Sequence, residues 1–277
     1  MSLALPGPAI LFCPGNRPER FDKAIDAADV VILDLEDAVP ALDKEAARTD
    51  VVAACERLGD QPLIVRVNAV GTRWHDGDVA ALRALAESTG STVPIMLPKS
   101  ESADQLRALA DFGVVALCES ARGVLNAAAL AEAPNCEALM WGAEDLIADL
   151  GGRSSRSPAG AYYRVIEQAR ANILFAAAAA AKAAFDAVYL DIDDLDGLAL
   201  ECAEAVDLGF RAKVCIHPRQ AAVVRAAYAP SPERLAWAAG VLAEAARSGD
   251  AVFSYEGKMI DAPLFAQAKA ILAHAEP

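Results

Sequence analysis

Along this 277-residue chain, short apolar runs repeatedly end in a polar residue, and the residues so placed are Glu36, Asp37, Arg66, Asn68, Lys99, Glu119, Glu144, Asp145, Asp191 and His217. Carboxylates are costly to bury in an apolar core, so a strand that feeds straight into them delivers them to a wet, polar site. VVILDLEDAVP, residues 30–40, is the sharpest example: branched side chains that suit a strand buried on both faces stop at Glu36 and Asp37. Several carboxylates with a single histidine make an oxygen-ligand set, which suits Mg2+ or Mn2+ held by one or two carboxylates plus substrate and water, and disfavours zinc. Glu119 and Asp145 end consecutive strands, about 4.8 Å apart in a sheet, so one cation can bridge them; the other reading is that each caps the following helix or pairs with a lysine. Arg66, flanked by Val65 and Val67, suits an anionic ligand or an ion pair with Glu36 or Asp37, and the two uses are compatible. Lys99 is either a phosphate or carboxylate contact or a neighbour of Glu101. His217, before a proline in a tight turn, reads as a hydrogen-bonded structural residue and not as the base.

Positioning these residues requires elements that bring distant parts of the chain together. Strand-like runs fall at 9–13, 30–35, 63–67, 93–97, 114–118, 138–141, 187–190 and 213–216. Helical spacing falls at 18–28, 42–58, 78–88, 103–112, 125–133, a long helix that follows the Gly/Ser/Arg-rich loop 151–160 and runs through Phe185, and 198–208. Eight such alternations indicate a parallel α/β architecture, and eight strands close a (β/α)8 TIM barrel. An open doubly wound sheet fits less well: no G-x-G-x-x-G follows the first strand, and polar residues end nearly every strand instead of gathering at one switch point. In a closed barrel the strand ends surround one mouth, where the polar residues converge. Residues 1–228 then form the barrel and 229–277 a C-terminal helical extension, with a helix over 232–247, an extended piece at 251–255 and a last helix over 263–273.

Bulk properties narrow the partners. A hydrophobic fraction of 55% with 23% charged residues describes a soluble, alanine-rich globular chain. The net charge of −14 argues against nucleic acid or an anionic membrane surface as partner. The longest uncharged apolar run, 173–181, falls well short of the roughly 18 residues of a transmembrane span and reads as a buried helix. The N-terminus lacks a basic leader, so the expected location is cytoplasmic. Six cysteines form no C-x-x-C pair, which argues against structural zinc and disulfides.

Read in order, LFCPGNRPERFDKA, VVILDLEDAVP with Lys44 and Arg48 after it, VRVNAVGT, IMLPKSES, CESARGVLNA, MWGAEDLIADLGG, KVCIHPRQ and EGKMIDAPLFAQAKAIL closely resemble the citrate lyase β-subunit-like family, within the HpcH/HpaI aldolase group. The resemblance covers nearly the whole chain. It implies a barrel of the phosphoenolpyruvate-binding type, a homotrimer, Mg2+ on Glu119 and Asp145, and the substrate carboxylate near Arg66. It also implies Asp261 as the acid/base that delivers a proton to the enolate carbon, although Asp261 equally suits an N-cap for the last helix. The tail is expected to be a lid that packs on the barrel or covers a neighbouring subunit's site. Asn16, Arg17 and Arg20 become candidates for CoA phosphates, and Glu36 and Asp37 catalytic groups that orient Arg66 and metal-bound water. Ala212 stands where the family often has glycine. The implied activity is Mg2+-dependent retro-Claisen cleavage of a β-hydroxyacyl-CoA thioester, of the citramalyl-CoA or malyl-CoA type, to acetyl-CoA and a 2-oxo acid. Three other readings accompany it: the citryl-acyl-carrier-protein lyase subunit of a complex, a malate-synthase-like condensing enzyme, and a non-catalytic acyl-CoA-binding barrel.

Overall fold

Branched apolar residues spaced two apart build the strands, and the same spacing decides which polar residues reach the mouth. The computed structural model describes residues 3, 5–248 and 251–273. Among them, eight parallel strands close a barrel in chain order: β1 (Ala9–Pro14), β2 (Val30–Asp34), β3 (Leu63–Arg66), β4 (Ile95–Leu97), β5 (Val114–Cys118), β6 (Cys136–Trp141), β7 (Ala183–Asp186) and β8 (Ala212–Cys215). The ring is completed by β8 pairing with β1. Around it run α1 (Phe21–Ala27), α2 (Lys44–Leu58), α3 (His75–Thr89), α4 (Ala103–Arg107), α5 (Ala121–Leu125), α6 (Ala127–Ala131), α7 (Ala143–Asp149), α8 (Arg164–Ala179), α9 (Leu195–Leu208) and α10 (Pro218–Tyr228).

Ile10, Ile32, Ile64, Met96, Val115, Leu117, Ala138, Met140, Phe185, Ala212 and Val214 fill the barrel interior. Each large apolar side chain so buried stabilises the fold by roughly 1.5–3 kcal/mol. Continuing the alternation by two places brings Asp34, Arg66 and Glu119 to the upper end of the same interior, above Ile32, Ile64 and Leu117. The barrel expected from the sequence is therefore present, with eight strands in sequential order.

Several boundaries differ from the sequence reading. Chain contacts divide the protein into two units, Met1–Arg225 and Ala226–Pro277, so the division falls just before the expected 228/229 junction. The helix expected to run through Phe185 stops at Ala179, and the seventh strand occupies 183–186, not 187–190. An alanine-rich stretch carries little intrinsic strand preference; pairing of Ala183, Ala184 and Phe185 with Ala138, Leu139 and Met140 imposes it. Run 173–181 is amphipathic, with Ile173, Ala176 and Ala177 buried and Phe175 exposed. The eighth strand begins one residue early, the fourth is shortened to Ile95–Leu97, and the single helix expected over 125–133 is two short ones that meet at Asn126.

Because β7 sits earlier, its terminal carboxylate is Asp186 and not Asp191. Asp186 points away from the barrel axis, where it accepts from Trp141 Nε1 at 2.9 Å, Arg170 Nε at 3.0 Å and Lys213 Nζ at 2.9 Å. Burial pushes the Asp186 carboxyl up, but Lys213 and Arg170 outweigh it and hold the group below the ordinary carboxylate range. Lys213 also donates to Glu201 of α9 at 2.8 Å, so this buried network ties β7 and β8 to α8 and α9.

Unit Ala226–Pro277 contains α11 (Pro232–Ser248), a hairpin of β9 (Phe253–Tyr255) and β10 (Lys258–Ile260), and α12 (Ala262–Ala273). Glu256 and Gly257 make the turn, both at positive φ. Ala238, Val241, Ile260 and Ala268 form its small core. Among the described residues, no helix is long and apolar enough to cross a membrane.

Candidate functional site

Asp34 and Arg66 are register partners on β2 and β3, so their side chains meet on the barrel's inner face. Arg66 donates from Nε to Asp34 Oδ1 at 2.6 Å and from Nη2 to Oδ2 at 2.7 Å, a bidentate pair that fixes the guanidinium plane. The guanidinium carbon, Cζ, lies 4.6 Å from the centre of the Phe12 ring. The same Asp34 carboxylate accepts from the backbone N–H groups of Glu36 and Ala38, at 2.8 and 3.1 Å. Lys44 Nζ holds the turn from the other side, donating to the carbonyls of Leu35 and Glu36 at 2.8 Å each. Burial lowers the Lys44 pKa, partly offset by Asp34 and Glu36.

Glu36 is buried between two cations. Its Oε1 accepts from Lys99 Nζ at 2.5 Å, while Oε2 lies 3.2 Å from Arg66 Nη1 with no hydrogen-bond partner among the described residues. Burial raises the Glu36 pKa, opposed by Arg66 and Lys99. Lys99, just past β4, adopts a left-handed backbone at φ 50°, which costs a non-glycine residue about 1 kcal/mol. That conformation aims its N–H at Glu119 Oε1, 3.1 Å away, while its ammonium lies 3.7 Å from Asp145, 3.8 Å from Asp37 and 4.0 Å from Glu119. The expected partner Glu101 instead accepts from Ser120 Oγ at 2.8 Å.

Glu119 is buried and follows β5 directly; burial, then Asp145 and Glu36, push its carboxyl up to about 8. Asp145 sits in the first turn of α7, four residues beyond the end of β6, and is partly exposed. Gly142, between that strand and helix, makes room for Glu119: a Cβ there would lie 3.0 Å from Glu119 Cβ and Oε2. Among the described residues, Glu36, Asp37, Glu119 and Asp145 therefore surround one ammonium, an excess of negative charge that a divalent cation would relieve. Two of them, Glu119 and Asp145, fit a Mg2+ ion that keeps its remaining positions for water and substrate. No three His, Cys, Asp or Glu side chains converge as a closed metal cage among the described residues.

The other expected residues have partners of their own. Asn68 donates from both its backbone N and Nδ2 to the buried Asp78, at 2.9 and 2.6 Å, and Arg48 holds the same carboxylate at 2.7 Å. Asn16 donates to Asp43 at 3.1 Å, and Arg17 and Arg20 lie 3.1 and 3.8 Å from Glu19 at the surface. Glu144 accepts from Ser155 Oγ at 2.6 Å, Asp191 accepts from the N–H groups of Asp193 and Asp194, and His217 Nδ1 accepts from Arg219 N at 3.2 Å. Asp261, in the second unit, precedes α12 and accepts from Leu264 N at 3.4 Å, a weak helix cap. Sequence reasoning missed Asp34, Lys44 and Asp78 as site-building residues. The available signal for Asp34 was its place two residues beyond Ile32, on the inward face.

A family model described as HpcH/HpaI aldolase/citrate lyase matches residues 9–218. Three curated relatives span nearly all of this chain. A citrate lyase subunit beta-like protein of Mycobacterium tuberculosis is 50% identical, covering 99% of this chain and 98% of its own. A (3S)-malyl-CoA thioesterase of Cereibacter sphaeroides is 35% identical, covering 99% and 96%. The mitochondrial citramalyl-CoA lyase of Homo sapiens is 33% identical, covering 96% and 84%. Among solved structures, protein CitE of M. tuberculosis in complex with magnesium, acetoacetate and coenzyme A superposes with a TM-score of 0.91 at 48% identity, covering 98% of each chain.

Proposed function

This chain belongs to the HpcH/HpaI aldolase/citrate lyase family, and from that premise we propose that it is a Mg2+-dependent carbon–carbon lyase. Its substrate is a β-hydroxyacyl-CoA thioester of the citramalyl-CoA or malyl-CoA type, cleaved to acetyl-CoA and a 2-oxo acid. The observation that supports this reading is that Glu119 and Asp145 lie 4.0 and 3.7 Å from one Lys99 ammonium, which Glu36 links to the locked Arg66. Relatives and a structural neighbour whose names specify citramalyl-CoA lyase, magnesium, coenzyme A and a small oxo acid support it.

Glu119 and Asp145 would hold the Mg2+. When bound, that ion polarises the oxo-acid half of the substrate and makes its hydroxyl easier to deprotonate. Arg66 offers Nη1 to the oxygen on which charge develops, an interaction that accelerates the reaction to the extent that it tightens in the transition state. Glu36 holds Lys99 and faces that same nitrogen. Lys99, Asn16, Arg17 and Arg20 are the proposed contacts to substrate carboxylate and CoA phosphates, and Asp37 completes the negative rim. Asp261 is the proposed donor of a proton to the enolate carbon, a role that rests on its motif. The same reading takes the enzyme as a cytoplasmic homotrimer.

The test is a panel of citryl-, malyl-, citramalyl- and hydroxymethylglutaryl-CoA, assayed with Mg2+ and no added protein. Formation of acetyl-CoA and a 2-oxo acid in equal amounts from the malyl or citramalyl thioester is expected. Release of free CoA thiol would move the assignment to thioester hydrolysis, and binding without turnover would reduce it to an acyl-CoA-binding barrel.

A further inference from the structure

We infer that Asp34 is the positioning residue of this site: one fully buried carboxylate sets both the direction of Arg66 and the place of Glu36. The inference rests on the lyase reading and deepens it. Among the described residues, the two Asp34 oxygens take four hydrogen bonds, two from the Nε–Nη2 edge of Arg66 and two from the backbone N–H groups of Glu36 and Ala38. That fills the carboxylate's ordinary accepting capacity, so Asp34 has nothing left for substrate and acts through its partners.

The consequence is directional. With one edge of the guanidinium committed to Asp34, Nη1 is left turned to Glu36, 3.2 Å from its Oε2. That oxygen has no hydrogen-bond partner among the described residues. Arg66 is thus presented by a chosen nitrogen, and the buried oxygen opposite is fixed by the turn that Asp34 also ties down. Glu36 alone would not do this, because it meets Arg66 only at Nη1 while its other oxygen is held by Lys99.

The experiment compares Asp34→Asn, Arg66→Gln and the double variant with wild type, each checked for folding by circular dichroism and thermal melting. With citramalyl-CoA and Mg2+, Asp34→Asn is expected to lower kcat about 100-fold, the scale of losing one well-placed donor. KM is expected to rise by no more than about threefold, since Arg66 also meets the oxo-acid half in the ground state and its interaction tightens in the transition state. The double variant is expected to lose clearly less than the product of the two single losses, because no guanidinium remains to be positioned and only the place of Glu36 is still disturbed. Losses that multiply in the double variant, or wild-type kcat in Asp34→Asn, overturn the inference.

Should Asp34→Asn fail to fold, Arg66→Ala and Asp34→Asn/Arg66→Ala avoid an uncompensated buried guanidinium, and added guanidinium ion becomes the probe. Rescue of the first and not the second is expected; equal rescue of both overturns the role. If wild type cleaves no thioester of the panel, the lyase reading fails separately. The same cycle is then read on pyruvate affinity in the presence of Mg2+ by calorimetry, where non-additive losses are again expected and additive ones, or no binding to wild type, overturn it.

Discussion

Burial and the neighbouring Asp145 and Glu36 carboxylates push Glu119 up to about 8, so at neutral pH a proton competes with a divalent cation for this side chain. The folded value lies above that of the unfolded chain. In the cation-free protein the protonated carboxyl therefore adds stability that is complete below about 4.5 and is lost as the pH rises towards about 8. Cation binding runs the other way, because the ligand must first lose its proton. Calorimetric Mg2+ affinity is expected to climb between roughly pH 6 and 8 and to level off above, with proton release measurable near pH 7. Affinity independent of pH over that range would remove Glu119 from the ligand set. Glu119, Arg66 and Lys99 were legible in the sequence because each stands at the end of an apolar run. Asp34 was not, since a carboxylate inside such a run reads as part of the strand until the register with Arg66 is known.

The link from β6 to α7 shows how an element sets the geometry of a ligand on a neighbouring strand. Gly142 has an extended backbone at φ −125°, which alanine tolerates, so Gly142→Ala adds only a methyl group 3.0 Å from Glu119 Cβ and Oε2. Glu119 must give way. A loss of Mg2+ affinity of about tenfold is expected, the scale seen when a ligand's supporting contacts are disturbed, with melting changed little. Unaltered affinity would show that Glu119 is not held to its place by this close approach. Element order and the outer helices were readable from hydrophobic spacing, whereas β7 was not. Its two alanines carry no strand signal, and their conformation comes from pairing with β6. The misplaced strand also misplaced its carboxylate: Asp191 was expected at the mouth, while Asp186 ends the strand and faces Arg170 and Lys213.

At the scale of the whole molecule, barrel closure turns a sequence-distant set into one site: residues from 34 to 145 meet at a single mouth because β2 to β6 stand side by side. This much was legible, since eight alternating units admit few arrangements and polar residues end most of the strands. The choice of thioester was not, because the residues that discriminate acyl groups need only bind and leave no periodic signal. The decisive measurement is turnover of citramalyl-CoA by the purified protein with Mg2+, before and after EDTA, in wild type and in Asp145→Ala. The expected result is acetyl-CoA and pyruvate from wild type alone, abolished by EDTA and restored by added Mg2+, with no cation binding to Asp145→Ala. Unchanged cleavage after chelation, or full activity in Asp145→Ala, would contradict the assignment of Glu119 and Asp145 as the cation site of a lyase.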